Sequence, residues 1–533
     1  DDMVEIITFD LAEQLKYLIN NNLNILQEYQ HQARLRTTSD SCDIVQGEVY
    51  QSILNNYEEF FISVMIHSDG IPLYKSKNCN AWPILGAVLE LPPFARSRAD
   101  NTLLLAIWIG KQKPNFNLIF EKLLMSICDI KHRGIQTNGN RTVKVLFPIL
   151  MGDMPALSAM VQFVEPNAFY ACMFCNTKGT YSNDGHCVIY PCDNEAELRT
   201  NKKLEEYAHV AASMSKRLDR ERTKGLKGLS AFSEILDVPL PHSVVIDPMH
   251  TVFLCHSKKL LIQLQKFISK ENTMKINAKL RSINYIHDIL RRPRSFFNIQ
   301  KWKASEVRLF ILYIGLPVLA EFLHDHWEND KQLHESISML LRLYMKHLLK
   351  AVNSDVYPPN LLTISTHTHI HLPFQCVKFG RLNWLTNFVF ESFLGFLKAF
   401  VKGSSGAGNQ IAFAFISNYF LKKNKENNKS RFGHFSINDE TYGSNVLTMT
   451  FGKSITTFLT ANGHVSATTV YFSRLHHLNV TYHSFLYSRK GSTCSYLISY
   501  EKNGIFVYGF ILFFCLTDGH CAAVIQKLTQ VNF

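Results

Sequence analysis

Three acidic residues lie where a metal-dependent phosphoryl-transfer site would need them. Asp69 follows the apolar run FISVMIHS, Asp153 follows TVKVLFPILMG, and Glu391 lies inside the apolar segment NFVFESFLGFLKAF. Mg²⁺ and Mn²⁺ prefer oxygen ligands, and two such ions about 3.5–4 Å apart can activate an attacking hydroxyl and stabilise a leaving oxygen. We therefore predict that the three acids hold two Mg²⁺ or Mn²⁺ ions. The alternative is that Asp69 and Asp153 are turn residues and that Glu391 belongs to a solvated helix face.

The segment around Glu391 also carries two cations at helical spacing. Gly395, Lys398 and Lys402 follow Glu391 by four, seven and eleven residues, so all four are predicted to share one helix face. On that face the acid would meet the metal ions, and Lys398 and Lys402 would bind DNA phosphates. An ordinary solvated face remains the alternative.

A second set of residues has the types and spacing of zinc ligands. Cys172 and Cys175 form CMFC, and His367 and His371 lie in HTHIH. Zinc takes four tetrahedral Cys and His ligands, so the two pairs together predict one structural zinc. His369 offers a third imidazole that could replace either neighbour, and the other interpretation of the Cys pair is two buried free thiols.

Further chemistry-bearing residues have less definite roles. Asp247 and His250 form DPMH, in which Asp247 is expected to cap a helix, with metal binding as the alternative. Cys187 and Cys192 form a looser pair that we interpret as core or loop residues. The basic segment KKNKENNKSR, residues 422–431, reads as a loop that could contact phosphates or serve as a nuclear import signal.

The elements that must position the acids follow one another in a definite order. Apolar runs predict three strands near 61–70, 81–91 and 101–110, then a helix over 114–127 and a fourth strand over 142–156. A carboxylate at the end of strands one and four matches the layout of the ribonuclease-H-like fold of transposases and integrases. In that fold the first and fourth strands are neighbours, and the third acid comes from a later helix.

The predicted fold class is α/β, a ribonuclease-H-like core with a large, mostly helical insertion and a small β-rich C-terminal domain. Residues 1–60 are predicted to form an N-terminal helical segment and 61–175 the first part of the core. The insertion covers 176–360. The His pair and the Glu391 helix, within 361–435, complete the core, and 440–533 form the β-rich domain.

Composition limits the class of protein. A chain of 533 residues with 46% hydrophobic content can bury the cores of two or three domains, and its net charge of +12 suits a polyanion such as DNA. Twelve cysteines are too few for a disulfide scaffold, which favours a reducing compartment. No signal peptide pattern is present, and the apolar run 505–516 is shorter than the ~20 residues of a membrane span. The start at Asp1 rather than Met suggests a fragment.

Several short motifs occur in one order and resemble a known family. These are HSDGIPLYKS with AWPILGAVLELPP, GDMPA, CMFC, GLKGLSAF with DPMH, HTHIHLP, and FESFLGFLKAFVKG with GNQI. From about residue 7 to about 515 the chain is similar to the animal transposases of the CACTA group, which includes Mirage and Chapaev elements. The segment LPHSVV departs from the more aromatic segment of relatives, and no terminal-repeat-binding zinc finger is present.

The resemblance implies a cut-and-paste transposase. Asp69, Asp153 and Glu391 match the catalytic acids of the family, and CMFC with the His pair of HTHIH matches its Cys and His motifs. Such an enzyme hydrolyses a phosphodiester at each transposon end and joins the freed 3′ hydroxyl to target DNA, so the expected location is the nucleus and the expected state a homo-oligomer. The alternatives are a domesticated, non-catalytic DNA- or chromatin-binding protein and an unrelated zinc-binding structural protein.

Overall fold

The computed structural model describes most of the chain, which divides into two compact units. Unit one contains residues 1–268, 299–312 and 323–422, and unit two contains 269–298, 313–322 and 423–533. The described residues are 4–35, 43–74, 79–190, 197–214, 219–283, 285, 289, 291–319, 344, 348, 352, 357–402, 406–426, 441–442, 447, 450, 453–463, 469–477, 480–487, 496–502, 505–517 and 520–527.

Strands and helices are mixed in the first half of the described chain, helices predominate between residues 246 and 440, and strands predominate from residue 441 onwards. The strands are β1 (Glu5–Thr8), β2 (Phe61–Ser68), β3 (Ile71–Pro72), β4 (Asn80–Val88), β5 (Thr102–Gly110), β6 (Ile135–Gln136), β7 (Thr142–Gly152), β8 (Thr180–Ser182), β9 (Cys187–Ile189), β10 (Val244–Val245), β11 (Thr441–Tyr442), β12 (Val470–Phe472), β13 (Arg474–His477), β14 (Val480–His483), β15 (Leu497–Lys502), β16 (Ile505–Thr517) and β17 (His520–Lys527). The helices are α1 (Leu11–Leu35), α2 (Glu48–Asn56), α3 (Pro93–Arg96), α4 (Phe116–Arg133), α5 (Met154–Met160), α6 (Asn201–Ala212), α7 (Arg220–Thr223), α8 (Phe232–Ile235), α9 (Lys258–Gln265), α10 (Lys270–Ser282), α11 (Ala304–Leu309), α12 (Gly315–Leu319), α13 (Ile364–His367), α14 (Leu372–Phe379), α15 (Phe388–Ala399), α16 (Ala407–Glu426) and α17 (Lys453–Ala461). A π-helical segment, Met249–Ser257, runs into α9.

A mixed sheet forms the centre of unit one. Its strand order is β1-β5-β4-β2-β7-β10, with the short strands β3 and β6 added at β4 and β7. The strands β2, β4 and β5 pair antiparallel, whereas β7 pairs parallel with both β2 and β10. The predicted neighbour relation of the first and fourth core strands, β2 and β7, is therefore confirmed by their register.

Both faces of this sheet are covered, because its strands are apolar on both sides. Even-numbered residues of β2, such as Ile62 and Ile66, pack in a core with Phe120 of α4, while Phe61 and Met65 pack in a second core with α15. Successive strand residues point to opposite faces. His67 and Asp69 therefore continue the series that faces α15.

Four strands of the central sheet, β1, β3, β6 and β10, were not predicted from the sequence, and β1 and β10 form its two edges. The N-terminal segment is not only helical, because β1 pairs with β5 through Glu5 and Ile109. The predicted insertion from 176 to 360 is not wholly separate from the sheet, because β10 pairs with β7 through Val244 and Leu150. Both strands are too short to show a period-2 pattern of their own, so only their partners fix them.

Unit two contains a second sheet with the order β11-β12-β16-β15, to which β17 pairs at β16. The apolar run 505–516 lies within one strand, β16, which supplies Phe513 and Cys515 to a small core with Leu459 of α17. Its paired neighbours satisfy the backbone groups of this long apolar strand. None of the described helices is long and apolar enough to cross a bilayer.

Candidate active site and metal-binding cluster

Asp69 and Asp153 leave neighbouring strands at the same edge of the sheet. Ser68 of β2 lies opposite Gly152 of β7 in the parallel register, and each acid is the next residue. Glycine is required at this point, since a Cβ on Gly152 would lie 2.9 Å from the carbonyl oxygen of Ser68. At Gly70 a Cβ would lie 2.7 Å from the ring of Trp82. Gly152 therefore permits the close approach of the two strand ends that carry the acids, and Gly70 leaves room for the Trp82 ring.

Asp153 also begins a helix. Its Oδ1 accepts a hydrogen bond of 2.6 Å from the amide of Ala156 in the first turn of α5, the usual role of an N-cap aspartate. The charge of Asp153 still acts on its neighbour, because it contributes to raising the pKa of Asp69. One carboxylate oxygen of Asp153 thus caps α5, and the carboxylate still lies close enough to Asp69 to influence its pKa.

Glu391 joins the site from α15, together with a histidine. One ligand atom from each of Asp69, His250 and Glu391 lies within 4.8 Å of the other two, a spacing that suits a shared metal ion. The closest approach between His250 Nε2 and Glu391 Oε1 is 3.9 Å. Asp153 is not part of this group. Two of the three predicted acids, Asp69 and Glu391, therefore lie close to His250, for which the sequence did not predict a definite role.

Asp247 fixes the position of His250. The buried carboxylate accepts backbone hydrogen bonds from Met249 at 2.9 Å and from His250 at 3.2 Å, which confirms that it caps the helical segment after it. It also accepts a bond of 2.5 Å from His250 Nδ1 and one of 3.1 Å from the amide of Asn387. With Nδ1 occupied, His250 turns Nε2 toward Glu391.

The protonation states of this site are strongly shifted. Burial and then the charge of Asp153 raise the pKa of Asp69 to about 8. Burial alone would lower the pKa of His250, but the hydrogen bond and charge of Asp247, with help from Asp69 and Asp153, raise it to about 9. Protons therefore balance the negative charge of a metal-free site, and a divalent cation would displace them.

The two predicted DNA-binding lysines are not equivalent. Lys398 is exposed in the last turn of α15. The helix ends at Ala399, so the prediction that Lys402 shares its face is wrong. Lys402 lies in the following segment, where its backbone amide donates to Gln410 Oε1 at 2.8 Å. The apolar pattern of the sequence continues past Ala399 and gave no signal for the helix end.

The four predicted zinc ligands form a buried cluster. Cys172 Sγ lies 3.4 Å from His371 Nε2, and Cys175 Sγ lies 3.2 Å from His367 Nε2. The ligand atoms of all four residues lie within 4.8 Å of one another. Tetrahedral zinc with bonds of about 2.3 Å to sulfur and about 2.05 Å to nitrogen would separate these atoms by about 3.5 Å. This Cys₂His₂ cluster could bind zinc.

The surroundings of the cluster hold its loop in place. Arg199, which is buried, donates from Nε to the carbonyl oxygens of both Cys172 and Cys175 at 2.9 Å. Cys175 Sγ donates a hydrogen bond of 3.2 Å to the hydroxyl oxygen of Thr177. The pKa of Cys175 lies below its ordinary value because Cys172 donates a hydrogen bond to it, while burial raises the pKa of Cys172. No sequence pattern indicates the role of Arg199, which is 24 residues from Cys175.

Two of the remaining candidates, His369 and Cys187, are described by the structure and belong to neither group of ligands. His369 is buried but lies outside the cluster, and its ring packs 4.8 Å from that of His256, so it does not replace His367 or His371. Cys187 is a half-buried free thiol in β9. Cys192 lies outside the described residues, as do the side chains of the basic segment 422–431.

Comparison with known proteins does not identify the chain. No protein-family profile matches it. A search of curated proteins likewise finds no match. What the chain does must therefore be argued from the sites themselves.

Proposed function

We propose that this chain is a DNA transposase of the ribonuclease-H-like class, which cleaves a phosphodiester at transposon ends and transfers the strand to target DNA. The observation that carries the proposal is the convergence of Asp69, Glu391 and His250 at one edge of the central sheet. Asp153 leaves the adjacent parallel strand at the same edge. Hard oxygen ligands grouped in this way suit Mg²⁺ or Mn²⁺.

The order of the sheet supports the same class. An antiparallel set of three strands, β2, β4 and β5, is followed by α4 and by β7 parallel to β2, the layout expected of a ribonuclease-H-like core. The strand β10 continues the sheet beyond β7, and the next residues lead to Asp247 and His250. All the acids therefore come from consecutive parts of one sheet edge and from α15.

Each side chain then has a distinct task. Asp69 and Glu391, with Asp153 beside them, hold the divalent cations, which when bound activate the attacking oxygen and stabilise the leaving one. Asp247 orients His250 so that Nε2 points to the side of the site where Glu391 lies. With Nδ1 bonded to Asp247, His250 would offer the lone pair of Nε2 as a nitrogen ligand once a divalent cation displaces its proton.

The Cys₂His₂ cluster serves as a structural zinc site in this proposal. Its four ligands leave no open coordination position for a substrate, which is typical of structural rather than catalytic zinc. The ligands come from two segments 192 residues apart in sequence, Cys175 and His367, so zinc would join them. DNA is the proposed partner, consistent with the net charge of +12, and the nucleus with a homo-oligomer is the proposed setting.

Cleavage of DNA from both flanks of the coding sequence in its source locus tests the proposal. Purified protein with Mg²⁺ or Mn²⁺ should nick this DNA at defined positions and leave 3′ hydroxyls, whereas Asp69→Asn and Glu391→Gln should not. Cys187→Ser is a matched control outside both sites and should cleave normally. Metal-dependent DNA binding without cleavage by the wild-type chain would instead favour a domesticated, non-catalytic DNA-binding protein.

A further inference from the structure

Asn387 is a buried polar residue with an unexplained side chain. It is fully buried, and neither Oδ1 nor Nδ2 has a hydrogen-bond partner within the described part of the chain. An unsatisfied buried amide costs about 1–3 kcal/mol for each polar group, so natural proteins rarely keep one without a reason. The backbone of Asn387 is fully used, since its amide donates to Asp247 and its carbonyl oxygen accepts from the amide of Glu391 at 2.8 Å.

The backbone of Asn387 places this residue beside the carboxylate site. It stands at the start of α15, one helical turn before Glu391, with helical angles of φ −72° and ψ −1°. Residues four apart on a helix lie on the same face. Its backbone amide binds the same carboxylate, Asp247, that holds His250. The backbone of Asn387 is therefore hydrogen-bonded both to Asp247, which holds His250, and to Glu391.

The chemistry of an amide suits what this site lacks. Asp69, Asp153, Asp247 and Glu391 already concentrate negative charge, and the pKa of Asp69 is raised by burial and by its neighbours. A neutral oxygen adds a hard ligand without further repulsion. The Nδ2 group of the same side chain would then remain free to donate to an oxygen of a bound phosphate.

We propose that Asn387 is a ligand of the divalent cation at this site, binding through Oδ1 beside Asp69 and Glu391. This inference rests on the proposed metal-dependent function. It explains why a fully buried amide without partners is kept one turn from an acid. The competing explanation is that an internal water satisfies Asn387, which would make the residue structural only.

Direct Mn²⁺ binding to the full chain, with the Cys₂His₂ cluster loaded with zinc, separates these explanations. Free Mn²⁺ is measured by electron paramagnetic resonance while the metal is titrated, and the melting temperature is recorded in parallel. Asn387→Leu should weaken Mn²⁺ binding at least about tenfold, since even outer groups that only orient metal ligands typically contribute 10–100-fold. The same variant should melt no lower than the wild type without metal, because it removes an unpaired polar group.

Two further variants make the result decisive. Asn387→Asp keeps an oxygen ligand and should bind Mn²⁺ at least as well as the wild type. Gln46→Leu removes another buried amide with an unpartnered Nε2, outside the carboxylate group, and should leave Mn²⁺ affinity unchanged. Wild-type affinity in Asn387→Leu would overturn the inference. Equal Mn²⁺ binding by the wild type and Asp69→Asn would instead overturn the proposed function itself.

Discussion

The carboxylate site and the Cys₂His₂ cluster differ in how far the fold completes them. In the cluster all four side chains are buried and already spaced as zinc ligands. In the carboxylate site the Glu391 side chain is 41% exposed, Asp153 stays outside the closest group, and the pKa of Asp69 is raised by burial. Packing alone brings the four Cys and His side chains together in a closed cluster, whereas the carboxylate site stays open on one side, as the DNA-binding site that we propose would require.

The largest expected effect of any substitution falls on the closed cluster. The double variant Cys172→Ser/Cys175→Ser should lose zinc and several kcal/mol of unfolding free energy, because apparent zinc binding energies are about 10–16 kcal/mol and contribute to folding. Zinc content and chemical denaturation measure the two effects. Cys187→Ser, in β9, is the control and should keep both. A wild-type chain that folds equally well after zinc removal would contradict this view of the cluster.

A smaller effect is expected when a substitution at the carboxylate site weakens the orientation of His250 but keeps Asp69, Asp153 and Glu391. Asp247→Asn keeps the shape of the side chain but weakens its bond to His250 Nδ1. Strand cleavage should fall about 10²-fold, since outer groups that orient a ligand typically carry 10–100-fold. His250→Gln should fall at least as far. Cleavage rates are measured under excess metal. Full activity in both variants would show that His250 has no role in cleavage.

The carboxylate site should make the stability of the chain depend on pH. Asp69 binds its proton more tightly when folded than when unfolded, so in the absence of divalent metal the free energy of unfolding should decrease as pH rises from about 4 to about 8. The raised pKa of His250 acts in the same direction between about 6.5 and 9. Asp69→Asn should therefore be more stable than the wild type at pH 8, by on the order of 2 kcal/mol.

Denaturation at pH 5 and pH 8, in zinc but without Mg²⁺, tests this prediction. Near pH 5 the advantage of Asp69→Asn over the wild type should be much smaller than at pH 8, since only a small part of the interval between the unfolded and folded pKa values of Asp69 has then been crossed. Addition of Mg²⁺ at pH 8 should stabilise the wild type and leave Asp69→Asn unaffected. A wild-type chain that becomes more stable between pH 5 and pH 8 without metal would show that other groups dominate.

The smallest effect concerns DNA affinity at the open edge. Lys398 lies on α15 with Glu391, whereas Lys402 lies beyond the end of the helix. Lys398→Ala should weaken binding to all DNA sequences alike and flatten the salt dependence by about 0.9 in log–log form, the contribution of one phosphate contact. Lys402→Ala is the matched comparison. An equal loss in both variants would show that both lysines contact DNA despite the helix end.

The sequence contained most of the information about local structure and ligand types. Apolar runs ending in Gly or Ser before an acid predicted β2 and β7, and their parallel pairing brings Asp69 and Asp153 to one edge. The Cys-x-x-Cys and His-x-x-x-His spacings predicted the members of a cluster that the fold does assemble. These features are local, because strand alternation and ligand spacing operate within a few residues.

Only the tertiary structure decided which distant groups meet. His250 joins Asp69 and Glu391 because Asp247 binds amides at positions 249, 250 and 387, a set that no local spacing reveals. The two-residue strand β10 exists only through its pairing with β7. Arg199 and Asn387 likewise acquire their places from packing across long sequence separations. Periodicity specifies a face of one element, whereas the partner of that face depends on the whole chain.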